Sequence, residues 1–185
     1  MDIVQILLLV LVIAISVTIH EAMHAYASYW LGDQTARIQG RLSLNPLKHI
    51  DPFLTLLLPL ILALVGAPIF GAAKPVPFNP YNLRGGEWGM ALVALAGPLI
   101  NLLLAFVSFG VWSISGMPYH SILDRFLTLF VTVNLGFFVF NMLPLPPLDG
   151  SRLLYVFAPD FLRKFMDLLF AQKILIQVVT LQNFG

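Results

Sequence analysis

The stretch "IVQILLLVLVIAISVTIHEAMHAYASYWL", residues 3–31, decides the fold of this chain. Its first part, residues 3–19, is almost wholly apolar, yet His20, Glu21 and His24 follow within the same run. An apolar run of this length can span a membrane with some tilt. Ionisable side chains inside a span are costly, at least ~2.5 kcal/mol for each Asp, Lys or Arg on insertion scales, and they mark function by default. We therefore predict a transmembrane helix that carries a functional site.

The composition agrees with a membrane protein. Hydrophobic residues make up 59% of the 185 residues and charged residues only 10%, whereas soluble domains carry about 25% charge. The net charge of +1 shows no basic stripe, so no nucleic-acid partner is expected. The absence of cysteine excludes disulfides and thiolate ligands. Asp2 is the only charged residue before the apolar run, and there is no basic n-region, so we interpret the run as a retained helix and not a signal peptide.

The rest of the chain contains three further apolar runs and an apolar tail. The first of these three runs, which contains Pro59, is short. The other two are long enough to span a membrane. The runs are Phe53–Val65, Trp88–Ile114 and Phe126–Leu143, and the tail is Phe161–Phe184. We predict an all-α polytopic membrane protein with three to four core transmembrane helices. The second hydrophobic segment is short or re-entrant, and the C-terminal helix is amphipathic or membrane-associated. A single domain, 1–185, divides into a core, 1–158, and a tail, 159–185.

The basic residues predict the orientation. They follow the first, second and fourth apolar segments, whereas only Arg125 separates the third from the fourth. The positive-inside rule then places the N-terminus outside and the basic loops in the cytoplasm of a multi-pass cell-membrane protein. Since the loops on both sides of Phe53–Val65 lie on one face, that segment should enter and return. A plain short spanning helix remains the alternative.

Residues 20–24 form an HExxH pattern. On a helix, positions i and i+4 share a face, so the imidazoles of His20 and His24 can reach one ion, and histidine nitrogens suit zinc. Glu21 lies beside that ion, where it can take a proton from a water molecule that the metal activates. His20 lies roughly 25 Å along a helix in a core about 30 Å thick, near the predicted cytoplasmic side. Polar contacts between helices are the alternative explanation.

Asp149, in "PPLDG", is the favoured third ligand. A catalytic zinc site needs three protein ligands and one open position. His49 and His120 lie in predicted loops, and His120 lies on the opposite side. Asp149 follows the fourth segment at the depth of the two histidines, after prolines that break the helix. A simple Asp-Gly turn is the alternative.

Two asparagines share one face of the fourth segment. Asn134 is interpreted as a hydrogen-bonding contact between helices. Asn141 lies closer to Asp149 and is a candidate donor to an oxyanion or a substrate carbonyl. The stretch "AGPLIN", residues 96–101, supplies small residues that let another backbone approach, and we interpret it as packing around the site.

Together, "HEAMH", "GRLSLNPLKHIDP", "AKPVPFNP", "AGPLIN" and "FNMLPLPPLDG" resemble the site-2 protease family of intramembrane zinc metalloproteases, over about Ile13–Leu154. The resemblance implies one Zn²⁺ per chain, a catalytic glutamate and an asparagine that holds substrate or oxyanion. It also implies a transmembrane protein or peptide as substrate within the lipid bilayer. The implied ligands are His20, His24 and Asp149, the glutamate is Glu21, and the asparagine is Asn141. 

Two positions depart from the usual pattern of the family's short members. Leu54 stands where glycine is common, and Ala72 stands where tryptophan is common. A non-proteolytic zinc-binding scaffold or a metal carrier is the alternative function. All four key residues are present and the ligands cluster at one depth, which favours the protease.

Overall fold

The computed structural model describes residues 2–49, 53, 57–66 and 74–169. Within these ranges the chain is helical, without strands. Two short 3-10 turns, Pro46–Lys48 and Pro80–Asn82, interrupt the connections, and residues 160–169 are helical after α6. The α-helices are α1 Ile3–Trp30, α2 Thr35–Ile38, α3 Leu58–Leu64, α4 Gly86–Ile114, α5 Ile122–Asn141 and α6 Gly150–Phe157.

Three of these helices, α1, α4 and α5, are long and apolar enough to cross a membrane. They pack against one another, with Leu9, Ile13 and Val17 of α1 buried against residues of α5. Many large apolar side chains on their other faces are exposed, as expected for surfaces in contact with lipid tails. The predicted class, an all-α multi-pass membrane protein, is confirmed, and the predicted spans agree with the observed helices to within a few residues.

The two flanks of the second apolar segment lie on one side of the bundle. The Arg84 N–H donates to the Leu31 carbonyl at 2.8 Å, so the end of α1 and the start of α4 lie together. The Lys74 N–H donates to the His49 carbonyl at 3.1 Å, which joins the two flanks of the segment. Helix α3 has seven residues, about 10 Å, too short to cross. These contacts agree with a short or re-entrant segment. The residues that complete the path, Leu54 and Ala72 among them, lie outside the described ranges.

Two buried charged residues fix the connection between α1 and α4. Asp33 accepts hydrogen bonds from the Thr35 N–H and hydroxyl, from the Asn79 N–H at 2.8 Å and from the Asn82 amide at 3.2 Å. Arg41 donates through its guanidinium to three backbone carbonyls, those of Lys48, Lys74 and Pro75. The non-helical segment 74–79 is therefore held at both ends where α1 finishes.

The described part of the tail docks at the start of α4. The Arg163 guanidinium contacts both carboxylate oxygens of Glu87, at 2.8 and 2.9 Å, and donates to the Ala158 and Val156 carbonyls. The Phe157 ring packs edge-on against Trp88, with centroids 5.3 Å apart. Residues 170–185 lie outside the described ranges. Whether the tail spans the membrane therefore also falls outside them.

Candidate metal centre

The structure brings the three predicted ligands together. His20 and His24 lie one turn apart on α1, and Asp149 directly precedes α6. The Nε2 atoms of the two histidines are 3.0 Å apart, and Asp149 Oδ2 lies 3.2 Å from His20 Nε2 and 3.4 Å from His24 Nε2. Within the described residues, these three form the group of histidine and acidic side chains arranged to hold a metal ion.

The other ring nitrogen of each histidine is engaged by an acceptor. His24 Nδ1 lies 2.7 Å from the Val93 carbonyl oxygen on α4, and His20 Nδ1 contacts Asn101 Oδ1 on the same helix. A carbonyl oxygen can only accept, so each Nδ1 carries the proton and each Nε2 presents a lone pair. Three lone-pair donors thus converge on one point, an arrangement that a bound cation stabilises.

The spacing of the three donor atoms fits zinc. In a tetrahedral site with bonds of about 2.0–2.1 Å, neighbouring ligand atoms lie about 3.3 Å apart. The observed separations of 3.0, 3.2 and 3.4 Å bracket that value. Two imidazoles and one carboxylate also form the donor set of catalytic zinc sites that leave the fourth position open. Two of the three side chains are almost fully buried, which keeps the site away from bulk water.

Gly97 gives the imidazoles their space. A Cβ atom at this position of α4 would lie 2.7 Å from His20 Nε2 and would collide with His24 Nε2 as well. Gly97 of "AGPLIN" therefore lets α4 approach the two imidazole rings closely, in agreement with the packing role predicted for that stretch.

The loop between α5 and α6 turns back to present Asp149. Helix α5 ends at Asn141, and the proline-rich residues that follow are not helical. A Cβ on Gly150 would lie 2.8 Å from the Leu143 carbonyl oxygen and would overlap the Met142 carbonyl. Only glycine therefore lets the loop close tightly enough to bring Asp149 to α1.

Glu21 directly follows His20 on α1 and has only 8% of its surface exposed. Its Oε2 atom accepts a hydrogen bond from the Val76 N–H at 3.1 Å. Val76 belongs to the segment 74–79 that Arg41 and Asp33 hold in place. The carboxylate is thereby oriented by a fixed backbone donor.

The remaining candidates are placed as follows. The Asn141 amide donates to the Phe137 carbonyl of its own helix at 3.0 Å, so its role at the site stays a prediction. Asn134 is fully buried and joins α1, α4 and α5, in agreement with its interpretation as a contact between helices. His120 lies at the opposite end of α5, as expected. His49 is fully buried, and its Nε2 donates to the Ser43 carbonyl.

Sequence reasoning missed two residues of this region. Asn101 was included in a packing stretch, yet it contacts the ring of His20. Arg41 was counted only as a loop charge, yet it is 6% exposed and fixes the segment that contacts Glu21. For Asn101 the available signal was the cost of an unpaired amide in an apolar span. Arg41 lies in a polar and basic stretch, and the sequence offered no comparable signal for it.

Comparison with known proteins identifies the family. The model of peptidase family M50 matches residues 110–182. The chain is 43% identical over 162 residues to "Putative zinc metalloprotease YwhC" of Bacillus subtilis, covering 84% of this chain and 71% of the relative. It is 35% identical over 145 residues to "Putative zinc metalloprotease Rip2" of Mycolicibacterium smegmatis, covering 76% of this chain and 54% of that protein.

An archaeal protein is also similar. "Putative zinc metalloprotease MJ0611" of Methanocaldococcus jannaschii is 39% identical over 99 residues, about half of each chain. The matches with the mycobacterial and archaeal relatives thus span about half the length of those proteins. No solved structure matches this chain. The identity to the Bacillus relative over most of both sequences shows that the chain belongs to peptidase family M50, the site-2 protease family.

Proposed function

We propose that the chain is an intramembrane zinc metalloprotease that hydrolyses peptide bonds within or near the transmembrane segments of other membrane proteins. The observation that carries the proposal is the convergence of His20 Nε2, His24 Nε2 and Asp149 Oδ2 within 3.4 Å. The relatives named as zinc metalloproteases support the same chemistry.

The proposed metal is one Zn²⁺ per chain, held by His20, His24 and Asp149. Zinc in this position supplies Lewis acidity toward a water molecule and toward the carbonyl of the scissile peptide bond. The protein supplies the fixed geometry. The Val93 carbonyl and the Asn101 amide orient the two rings, and Gly97 leaves room for the donor atoms.

Glu21 is the proposed general base and acid. Its Oε2 is held by the Val76 N–H, which leaves Oε1 to take a proton from the attacking water molecule. The same carboxylate then delivers that proton to the leaving amide nitrogen. A carboxylate fixed in position beside the reacting atoms needs no reorganisation between these two steps.

Asn141 is the proposed donor to the substrate carbonyl oxygen. Its amide now bonds to the Phe137 carbonyl one turn earlier. Rotation of the side chain would exchange that acceptor for the substrate oxygen, on which negative charge develops during attack. A hydrogen bond that strengthens as charge develops lowers the barrier of the chemical step.

The proposed substrate is a transmembrane segment of a membrane protein or peptide. The site is built on spanning helices and its histidines are buried among them. A helix in lipid has no free carbonyl groups, so a substrate must unwind locally before attack. Substrate segments with helix-breaking residues are therefore expected to be cleaved faster than uniformly helical ones.

The proposed orientation has the N-terminus outside and the metal centre near the cytoplasmic side. The excess of basic residues after α1, around segment 74–84 and after α5 supports this orientation. A reporter inserted between residues 67 and 80 tests the path of the second apolar segment in this orientation. A cytoplasmic signal is expected, and a signal from the outer side would mean that the segment crosses the membrane.

Cleavage in proteoliposomes tests the function. The zinc-loaded protein is reconstituted with a tagged transmembrane peptide, alongside the Glu21→Gln variant. The wild-type chain should release a shorter product. E21Q should bind zinc but release no such product. Equal cleavage by both would contradict proteolysis at the proposed site. Zinc binding without cleavage by the wild type would instead favour the alternative of a non-proteolytic zinc-binding scaffold or metal carrier.

A further inference from the structure

A continuous chain of buried polar side chains leads from the metal centre across all three spanning helices. His20 Nδ1 contacts Asn101 Oδ1. Asn101 Nδ2 donates to Asn134 Oδ1 at 2.7 Å, and Asn134 Nδ2 donates to Ser16 Oγ and to the Phe130 carbonyl, both at 2.8 Å. Asn101, Asn134 and Ser16 are each completely buried, so water does not compete for these contacts.

The direction of this chain is fixed at its far end. The Phe130 carbonyl can only accept, so the Asn134 amide must present its nitrogen there. The Asn134 side-chain oxygen then faces Asn101. Because this oxygen can only accept a hydrogen bond, Asn101 must donate to it through Nδ2. The Asn101 oxygen is thereby directed at His20, and an acceptor at that place requires the proton on His20 Nδ1.

We propose that Asn101 and Asn134 form a directional relay that fixes the tautomer and the ring orientation of His20, so that Nε2 is presented to the metal. They are positioning residues, because neither reaches the donor atoms of the site. His24 obtains the same result from a backbone carbonyl, that of Val93, which cannot be inverted. A side-chain amide could be inverted, and Asn134 is the residue that prevents it.

The relay rests on the proposed zinc site and predicts how two variants at one position differ. Asn134→Leu removes the acceptor for Asn101 Nδ2 and leaves the Asn101 amide free to invert. Asn134 is completely buried, and burial favours the neutral form of a carboxyl group, so we expect the Asn134→Asp side chain to be protonated. It then keeps an oxygen toward Asn101 and a hydroxyl toward the Phe130 carbonyl, which keeps the direction. A role limited to helix packing would make no such distinction in metal binding.

Zinc affinity is the test, measured by competition with a chelator on the purified full chain. Loss of an outer partner of a metal-bound histidine typically costs about 10–100-fold in affinity. We expect a loss in that range for Asn101→Leu and about 10-fold for N134L, with N134D close to the wild type. In the N101L background, N134L should add no further loss, since Asn134 acts through Asn101. 

Ser28→Ala is the matched control. Ser28 is a fully buried polar residue of α1 whose hydroxyl donates to the Ala25 carbonyl of its own helix. The S28A variant should bind zinc with the same affinity as the wild type. A visible spectrum of the Co²⁺-loaded protein adds a second readout: the four-coordinate signature should persist in N134D and S28A and change in N134L.

Three results would overturn the relay: wild-type affinity in N134L, equal losses in N134L and N134D, or losses of N101L and N134L that add in full. These outcomes are distinct from failure of the proposed function, which would appear as a wild-type chain that binds no zinc or as cleavage by E21Q.

Discussion

Asp149 Oδ2 lies 3.2 Å from His20 Nε2, although His20 belongs to α1 and Asp149 to the loop between α5 and α6. The pair shows that the loop after α5 returns to the helix that carries the HExxH pattern. A carboxylate and two imidazoles at this spacing form a donor set suited to zinc. The proposed protease function depends more on the proximity of Asp149 to the two histidines than on the HExxH pattern alone.

Asp149→Asn tests the contribution of the carboxylate. An amide oxygen is a weaker ligand than a carboxylate, so zinc affinity should fall by more than about 100-fold, beyond the usual effect of an outer partner. Asp160→Asn, at an exposed acidic residue of the tail, is the control and should bind like the wild type. Chelator competition measures both, and unchanged affinity in D149N would remove Asp149 from the site.

Gly97→Ala should abolish zinc binding, because the added methyl group would clash with the imidazole rings. The added methyl group would lie 2.7 Å from His20 Nε2 and would overlap His24 Nε2. Gly110→Ala, on the same helix, meets no atom within 4 Å and should bind zinc normally. Zinc content of the two purified variants gives the comparison, and equal content would mean that the histidine rings do not occupy the positions described.

Arg41→Met should lower the cleavage rate while zinc binding is retained. The guanidinium holds the carbonyls of Lys74 and Pro75, and the next residue, Val76, orients Glu21. Lysine cannot reproduce a forked contact to several carbonyls, so Arg41→Lys should rescue little. Arg37→Met, at an exposed arginine, is the control. A loss of zinc equal to the loss of rate would refute this division of roles.

Asp33 predicts an acid-sensitive fold. Burial raises the pKa of this carboxyl group, but hydrogen bonds from Thr35, Asn79 and Asn82 outweigh burial and lower it below its usual value. A lowered folded-state pKa contributes stability above the unfolded value of about 4, and that stability is lost as the pH falls through the folded pKa. 

Asp33→Asn should therefore cost about 2 kcal/mol at neutral pH and flatten the acid limb of the stability curve. Unfolding in mixed micelles between pH 3 and 7 measures the effect. A D33N curve parallel to that of the wild type would show that the Asp33 carboxylate does not stabilise the connection.

Much of the fold follows from hydrophobic run length. The three spans could be placed from sequence because about 20 apolar residues are needed to cross a bilayer. The positive-inside rule predicted that the second segment returns, and the Lys74–His49 hydrogen bond, which joins its two flanks, agrees with that prediction. Asp149 could be proposed because an incomplete ligand set at a known depth left few candidates.

The orienting contacts could not be predicted in the same way. The Asn101–His20 and Arg41–Lys74 contacts join residues that are distant in sequence, and their formation depends on how the helices rotate and cross. Hydrophobic periodicity shows which face of a helix is buried, but it does not show which residue of a neighbouring helix packs against that face. The cost of an unpaired buried amide predicts only that Asn101 has a partner, not which one.

The most direct test of the central claim is the position of the cut bond. The zinc-loaded chain is incubated with a transmembrane peptide in lipid vesicles in H₂¹⁸O, and the products are analysed by mass spectrometry. We expect the wild type, but not Glu21→Gln, to produce a new C-terminus that lies within the apolar segment or at its edge and carries one ¹⁸O atom. Products cut only at sites remote from the apolar segment, or the same products from E21Q, would contradict intramembrane hydrolysis at this site.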